Sequence, residues 1–245
     1  MDPNQVIELR QYTLKPGRRE VLSELFDRHF VDGQEEAGIA VLGQFHDRRR
    51  PEMFVWLRSF PDMEARHRSL ERFYGGPIWA AHREAANATM VDSDDVLMLR
   101  PARPGGGIVS AANGHGEAGA AAAAGVVLVG IELLREPAGE EVLRLLECQA
   151  FPRLRAAGAR MRGFYVTEPA KNLFRLPVRE GEHAAVWIAS VAAERASAAL
   201  AAIAGENWRR EVKEPLAPRQ AAPAALLELA PTARSRLRHE AARAR

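Results

Sequence analysis

The stretch that decides the fold is VIELRQYTLKPGRREVLSELFDRHF, residues 6–30. From Val6 to Tyr12 the side chains alternate. Ile7 and Leu9 lie on one face and Glu8, Arg10 and Tyr12 on the other, the period of a half-buried strand. Lys15-Pro16-Gly17 is a turn. From residue 18 to 36 the period becomes helical, with Leu22, Leu25, Phe26, His29 and Phe30 on one face, and Gly38 ends the helix. Further along, residues 39–46 and 53–60 read as two strands. Asp62 caps a second helix whose buried stripe is Met63, His67, Leu70 and Tyr74. Pro77 opens a short helix ending near Asn87, and Val96 to Leu99 is the last strand. The order β-α-β-β-α-(α)-β is the split βαβ, or ferredoxin-like, plan.

The plan occurs twice. Residues 103–125, RPGGGIVSAANGHGEAGAAAAAG, hold almost nothing large and read as a flexible linker. Beyond it, Glu140-Glu141-Val142-Leu143 echoes Arg19-Glu20-Val21-Leu22, and Ala157-Gly158 with Gly163 echoes Ala37-Gly38 with Gly43. Val186-Trp187 with Ser190 echoes Val55-Trp56 with Ser59, and Trp208 echoes Trp79. The matches keep chain order, as in a diverged tandem repeat. The expected organisation is a first repeat at 1–102, the linker at 103–125, a second repeat at 126–232 and a basic tail at 233–245. The fold class is α+β: two tandem ferredoxin-like repeats closing one α+β barrel, or pairing between chains as a homodimer or higher assembly.

Composition narrows the function. The chain has 245 residues and a formal charge of +2. Its tail carries Arg234, Arg236, Arg238, Arg243 and Arg245 against Glu240, so the body is slightly acidic and is no nucleic-acid platform. Such a like-charged terminus reads as solvated and frayed. No apolar run suits a membrane helix, and the start lacks the basic and apolar regions of a secretory signal. A single cysteine, Cys148, fits a reducing, cytoplasmic setting and reads as a buried, inert thiol. Neither zinc spacing nor a phosphate-binding, zincin or nucleophile-elbow motif is present, so no metal and no cofactor are expected.

Four segments resemble the NIPSNAP family: ELRQYTLKPGRR (8–19), FVWLRSFPDMEAR (54–66), FYGGPIWAAHR (73–83) and VLMLRP (96–101). The resemblance is strong over residues 6–101. It is weaker in the second half, carried by VWIAS (186–190), Trp208 and LLELAP (226–231). It implies the dimeric α+β barrel superfamily. That superfamily includes cofactor-free monooxygenases of aromatic polyketides, haem-degrading enzymes, chlorite dismutases and small-molecule-binding proteins. The family itself has no agreed activity or catalytic residues. Its eukaryotic relatives are mitochondrial, but no Arg-rich presequence stands at this N-terminus.

The two halves differ in their polar residues. Aligned through the offsets of these matches, which run from 120 to 131 and are 121 for the first strand, Glu8, Arg10 and Tyr12 stand against Val129, Ile131 and Leu133; His46 and Arg58 stand against Val166 and Ala189, and His82 against Glu211. Polar groups on half-buried strands cost stability unless paired or put to use, so any chemistry is expected in the first repeat. The candidate catalytic residues are His82, His29 and Arg58: a histidine to take a proton and an arginine to hold the resulting oxyanion. The candidate ligand-binding residues are Arg10, Tyr12, Glu8, Trp56, Trp79, Phe45 and Tyr74. The ligand would be an apolar or aromatic carbonyl-type metabolite bound without metal, in a site of cofactor-free monooxygenase or isomerase type. Three alternatives stay open: an ion-pair network of Glu8, Arg10 and Arg58 that only supports the fold, a non-catalytic binding or scaffold protein, and haem held by His82 or His29.

Overall fold

The structure is a computed structural model, and it describes residues 5–108 and 125–239. Most of the linker, residues 109–124, and the last six residues of the tail lie outside the described residues. The first repeat runs β1 (Val6–Leu14), α1 (Arg19–Leu25), a π-helical turn (Phe26–Phe30), α2 (Val31–Glu36), β2 (Ala40–Asp47), β3 (Met53–Phe60), α3 (Met63–Tyr74), α4 (Pro77–Asn87) and β4 (Met90–Pro101). The second runs β5 (Val126–Leu134), α5 (Glu140–Leu145), a π turn (Leu146–Ala150), α6 (Phe151–Ala156), β6 (Ala159–Thr167), β7 (His183–Val191), α7 (Ala196–Ala204), α8 (Glu206–Trp208), a third π turn (Arg209–Lys213), α9 (Glu214–Leu216) and β8 (Ala225–Pro231). Asp62 caps α3 as its position suggests, accepting from the Ala65 backbone N–H, and Gly38 leaves the first helix with φ +91°.

The eight strands of the described residues pair antiparallel in a closed barrel ordered β1-β3-β2-β8-β5-β7-β6-β4. Each repeat supplies a four-stranded sheet, and the sheets join edge to edge through β4–β6 and β2–β8. The two repeats of one chain therefore make the barrel expected either within a chain or between chains. Strand alternation then sorts the side chains. Ile7, Leu9, Leu57, Leu97, Val129 and Ile188, among others, fill the interior. The outer face of each sheet packs against its own helices, forming two further cores.

The segments read as linker and tail contribute to that interior. Ile108 and Leu237 are buried within it. The Ile108 N–H donates to the Tyr165 hydroxyl, and the Leu237 N–H to the Leu42 carbonyl. Arg234 pairs with Asp32 and Arg236 with Glu35. Residues 103–108 and 233–239 thus follow β4 and β8 in equivalent ways. Each turns against the opposite repeat and drops one aliphatic side chain into the barrel. This overturns the frayed reading for residues 234–239: a charge run says nothing of the apolar Leu237 within it. Cys148 also differs from expectation. It is exposed, on the π turn 146–150.

Candidate functional site

β1 and β3 lie side by side, with Glu8 opposite Arg58 and Arg10 opposite Trp56. Alternation turns Glu8, Arg10, Tyr12, Trp56 and Arg58 outward, beneath the helices. There they meet Arg66 and Tyr74 of α3 and Gln34 of α2. Glu8 is the hub. One carboxylate oxygen, Oε2, accepts from Arg10 Nη1 at 2.6 Å and Arg58 Nε at 2.8 Å; the other, Oε1, accepts from Arg66 Nε at 2.6 Å. Arg10 Nε donates to the Tyr12 hydroxyl, and Arg58 Nη1 to Gln34 and the Tyr74 hydroxyl. Both Arg10 and Arg58 lie over the Trp56 ring, where the ring face favours a cation.

The cluster is closed to solvent: Glu8 and Arg58 are 0% exposed, and Arg10 and Arg66 1%. Burial alone would raise the Glu8 pKa. The surrounding Arg58, Arg10 and Arg66 outweigh it and hold the carboxyl far below its ordinary range. Burial raises the Tyr12 phenol against the pull of Arg10, so Tyr12 stays neutral. Three guanidiniums therefore face one carboxylate, and among the described residues no second carboxylate pairs with them. Arg66 Nη2 is buried without a hydrogen-bond partner.

The second repeat covers this cluster. Its β6–β7 loop, residues 168–182, is much longer than the matching turn 48–52 of the first repeat. Asn172 of that loop accepts from Arg66 Nη1 at 2.9 Å, and Phe174 packs against Tyr74 and His67. A cavity of about 380 Å³ opens under the same loop, lined by Met98, Thr167, Glu168, Lys171, Arg179 and Glu182 among others. Met98 stands directly opposite Glu8 in the β1–β4 ladder, so the cavity adjoins the cluster.

The structure thus gathers Glu8, Arg10, Tyr12, Trp56, Arg58 and Tyr74, and adds Arg66, Gln34, Asn172 and Phe174. Arg66 escaped because the α3 stripe was placed one residue off: the buried residues are Arg66, Ser69, Leu70 and Phe73, whereas His67 is partly exposed. The 66-69-70-73 spacing carries the signal, masked by the expectation that arginine faces water. Phe45 does not join the site. It points into the barrel interior, on the other side of the sheet. His29 and His82 stack on each other, centroids 3.8 Å apart. They reach the cluster only through Phe30, Trp79 and Tyr74. His29 is not the core residue its helical face suggested. Desolvation, then His82 and Arg28, lower its pKa.

The register also corrects the comparison of repeats. Arg10 pairs with Trp56, and in the second repeat Gly130 pairs with Trp187. The counterparts of Glu8, Arg10 and Tyr12 are therefore Leu128, Gly130 and Glu132. Val129, Ile131 and Leu133 belong to the barrel-facing side, and a slip of one residue exchanges the faces of a strand. The second repeat is thus not purely aliphatic on its outer face, since Glu132 stands there.

No curated protein matches the chain. Three solved structures share the fold over nearly the whole chain. An anthrone oxidase-like protein aligns with TM-score 0.57 and 12% identity, covering 95% of this chain and 94% of that one. A provisionally assigned monooxygenase of Fusobacterium nucleatum subsp. nucleatum ATCC 25586 aligns with TM-score 0.56 and 6% identity, covering 93% and 92%. Another, from Lactobacillus acidophilus NCFM, aligns with TM-score 0.52 and 13% identity, covering 93% and 94%. At such identities the likeness is one of fold. The family model that matches is NIPSNAP, over residues 7–104, the stretch that forms the first repeat with its buried arginine cluster.

Proposed function

We propose that the first repeat binds a small organic anion, a carboxylate or enolate on an apolar or aromatic body, between its sheet and its helices. One observation carries this reading. Three arginines and a single glutamate lie together under nearly complete burial, which leaves two positive charges unmatched. Buried charge is tolerated when it is paired. A network that served only the fold would gain by being neutral, which would take two further carboxylates. A ligand anion supplies one of those charges, and Arg66 Nη2 is a donor still without an acceptor. The adjoining cavity of about 380 Å³ has room for the ligand body. Loop 168–182 would have to lift for entry.

Binding is better supported than proton transfer. The arginine set suits an enolate oxygen, but His29 and His82 stack outside the aromatic layer rather than beside the arginines. The names of the fold neighbours describe those proteins, and an activity does not follow from a shared fold. The test is calorimetry and thermal shift against benzoate, phenylpyruvate and their uncharged amides. Carboxylates should bind and raise the melting temperature, amides should not, and Arg66→Met should weaken the carboxylates. Equal response to acids and amides, or unaltered binding by folded Arg66→Met, refutes the reading.

A further inference from the structure

The same layer of the second repeat holds a cavity of a different chemistry. It measures about 250 Å³ and lies between the outer face of β5 and β7 and the helices α7 and α8. Its walls are mainly apolar and aromatic, with Trp187, Trp208, Leu200, Ile203 and Leu226 among them. Gly130 makes part of the floor. A Cβ there would lie 2.1 Å from the Trp187 indole, so only glycine lets that ring lie flat on the sheet. The first repeat has Arg10 at the equivalent register, with its guanidinium bound to Glu8.

Of the polar side chains on its walls, which include Arg49 and Lys213, two bear on a ligand. The Trp187 indole N–H is buried without a hydrogen-bond partner, and such a donor is costly to leave unmade. Glu132 is 5% exposed and accepts from Gln220 Nε2 at 2.5 Å. Burial raises its pKa, opposed by the Gln220 hydrogen bond and by Lys213. Neither group is needed to hold β5 to β7, whose backbone ladder is continuous from Val126 to Leu134.

We infer that this cavity is a second ligand site, taking an uncharged planar aromatic molecule with a hydroxyl or carbonyl substituent. The ring packs in the corner made by Trp187 and Trp208, whose planes stand 63° apart. A ligand oxygen accepts from the Trp187 N–H, and a ligand hydroxyl donates to Glu132. A cavity of about 150 Å³ is enough for benzene, so about 250 Å³ admits a substituted ring or a compact bicycle. A neutral ligand fits because the wall already carries charges of both signs: Lys213 acts on Glu132, and Arg49 pairs with Glu228. The site is independent of the anion reading for the first repeat.

The probes are 2-naphthol and 2-methoxynaphthalene, titrated into the full chain by calorimetry and tryptophan fluorescence. 2-Naphthol should bind saturably, quench tryptophan emission and bind about tenfold more tightly than the ether, which cannot donate to Glu132; tenfold is about 1.4 kcal/mol, a single hydrogen bond. Glu132→Met should erase that preference. Trp187→Phe should weaken 2-naphthol about tenfold, and Ala204→Trp, which fills the cavity mouth, should abolish binding. The proposal is overturned by the absence of saturable binding, by equal affinity for the two probes in the wild-type chain, or by unchanged affinity in folded Ala204→Trp. The wild-type comparison decides even if a variant does not fold.

Discussion

Replacing Glu8 by Gln keeps the shape of the side chain and removes the carboxylate that three buried arginines share. Breaking a buried ion pair by deleting one partner costs about 3–5 kcal/mol, because an uncompensated charge is left behind. For a chain of this size that is a fall in melting temperature of about 6–20 °C. Arg58→Met should cost less than half as much, since Glu8 keeps two partners and the surplus of positive charge falls. The carboxyl of Glu8 is held below its ordinary value of 4.5 in the folded state. Its contribution is therefore complete above about pH 4.5 and is lost as the pH falls toward the folded value. The assay is chemical unfolding of wild type, Glu8→Gln and Arg58→Met between pH 3 and 8. The gap between wild type and Glu8→Gln should be widest at neutral pH and should narrow in acid. If Arg58→Met costs as much as Glu8→Gln, or if the gap does not change with pH, the cluster is not an unbalanced positive site and the anion reading loses its basis.

The other expected outcomes are more local. Glu132→Gln should stabilise the chain at pH 8, because burial raises the folded pKa and ionisation of Glu132 is penalised as the pH climbs above its ordinary 4.5; the gain should vanish at pH 4, and a variant less stable than wild type at both values contradicts it. Leu237→Ala and Ile108→Ala should each cost about 2–5 kcal/mol in urea unfolding, since each empties a place in the barrel interior; neutral variants would return both segments to the status of spacers. Residues 1–108 alone should form dimers or larger species in light scattering, because the barrel-facing side of a single sheet would lie uncovered, and a soluble monomer would count against that.

The fold was legible because its signals are local. The alternation of 6–12, the helical period of 18–36, Asp62 before α3 and Pro77 at the start of α4 each mark an element without knowledge of its neighbours, and the structure places an element at each. Five of the proposed site residues came together for the same reason: the side chains on one face of β1 and β3 must meet once those strands pair. What stayed hidden depends on distant partners or on register. Arg66 looks like a solvated helix residue until Glu8 is placed beneath it. Asn172 and Phe174 sit in a loop more than a hundred residues from the arginine that Asn172 contacts.

The offset between repeats is the most instructive case. Offsets of 120 and 121 were both present among the matches, and the choice of 121 turned Leu128, Gly130 and Glu132 into Val129, Ile131 and Leu133. Only the ladder, with a tryptophan opposite residue 10 in one repeat and opposite residue 130 in the other, settles it. Under the correct register the two halves no longer divide into an active and an inert copy. One layer is filled by arginines gathered on a glutamate. The other is opened by a glycine and lined by two tryptophans and a glutamate of raised pKa. Duplication within one chain permits this. In a homodimeric barrel both layers must carry the same residues, whereas here Arg10 and Gly130 occupy one structural position and give it opposite chemistries.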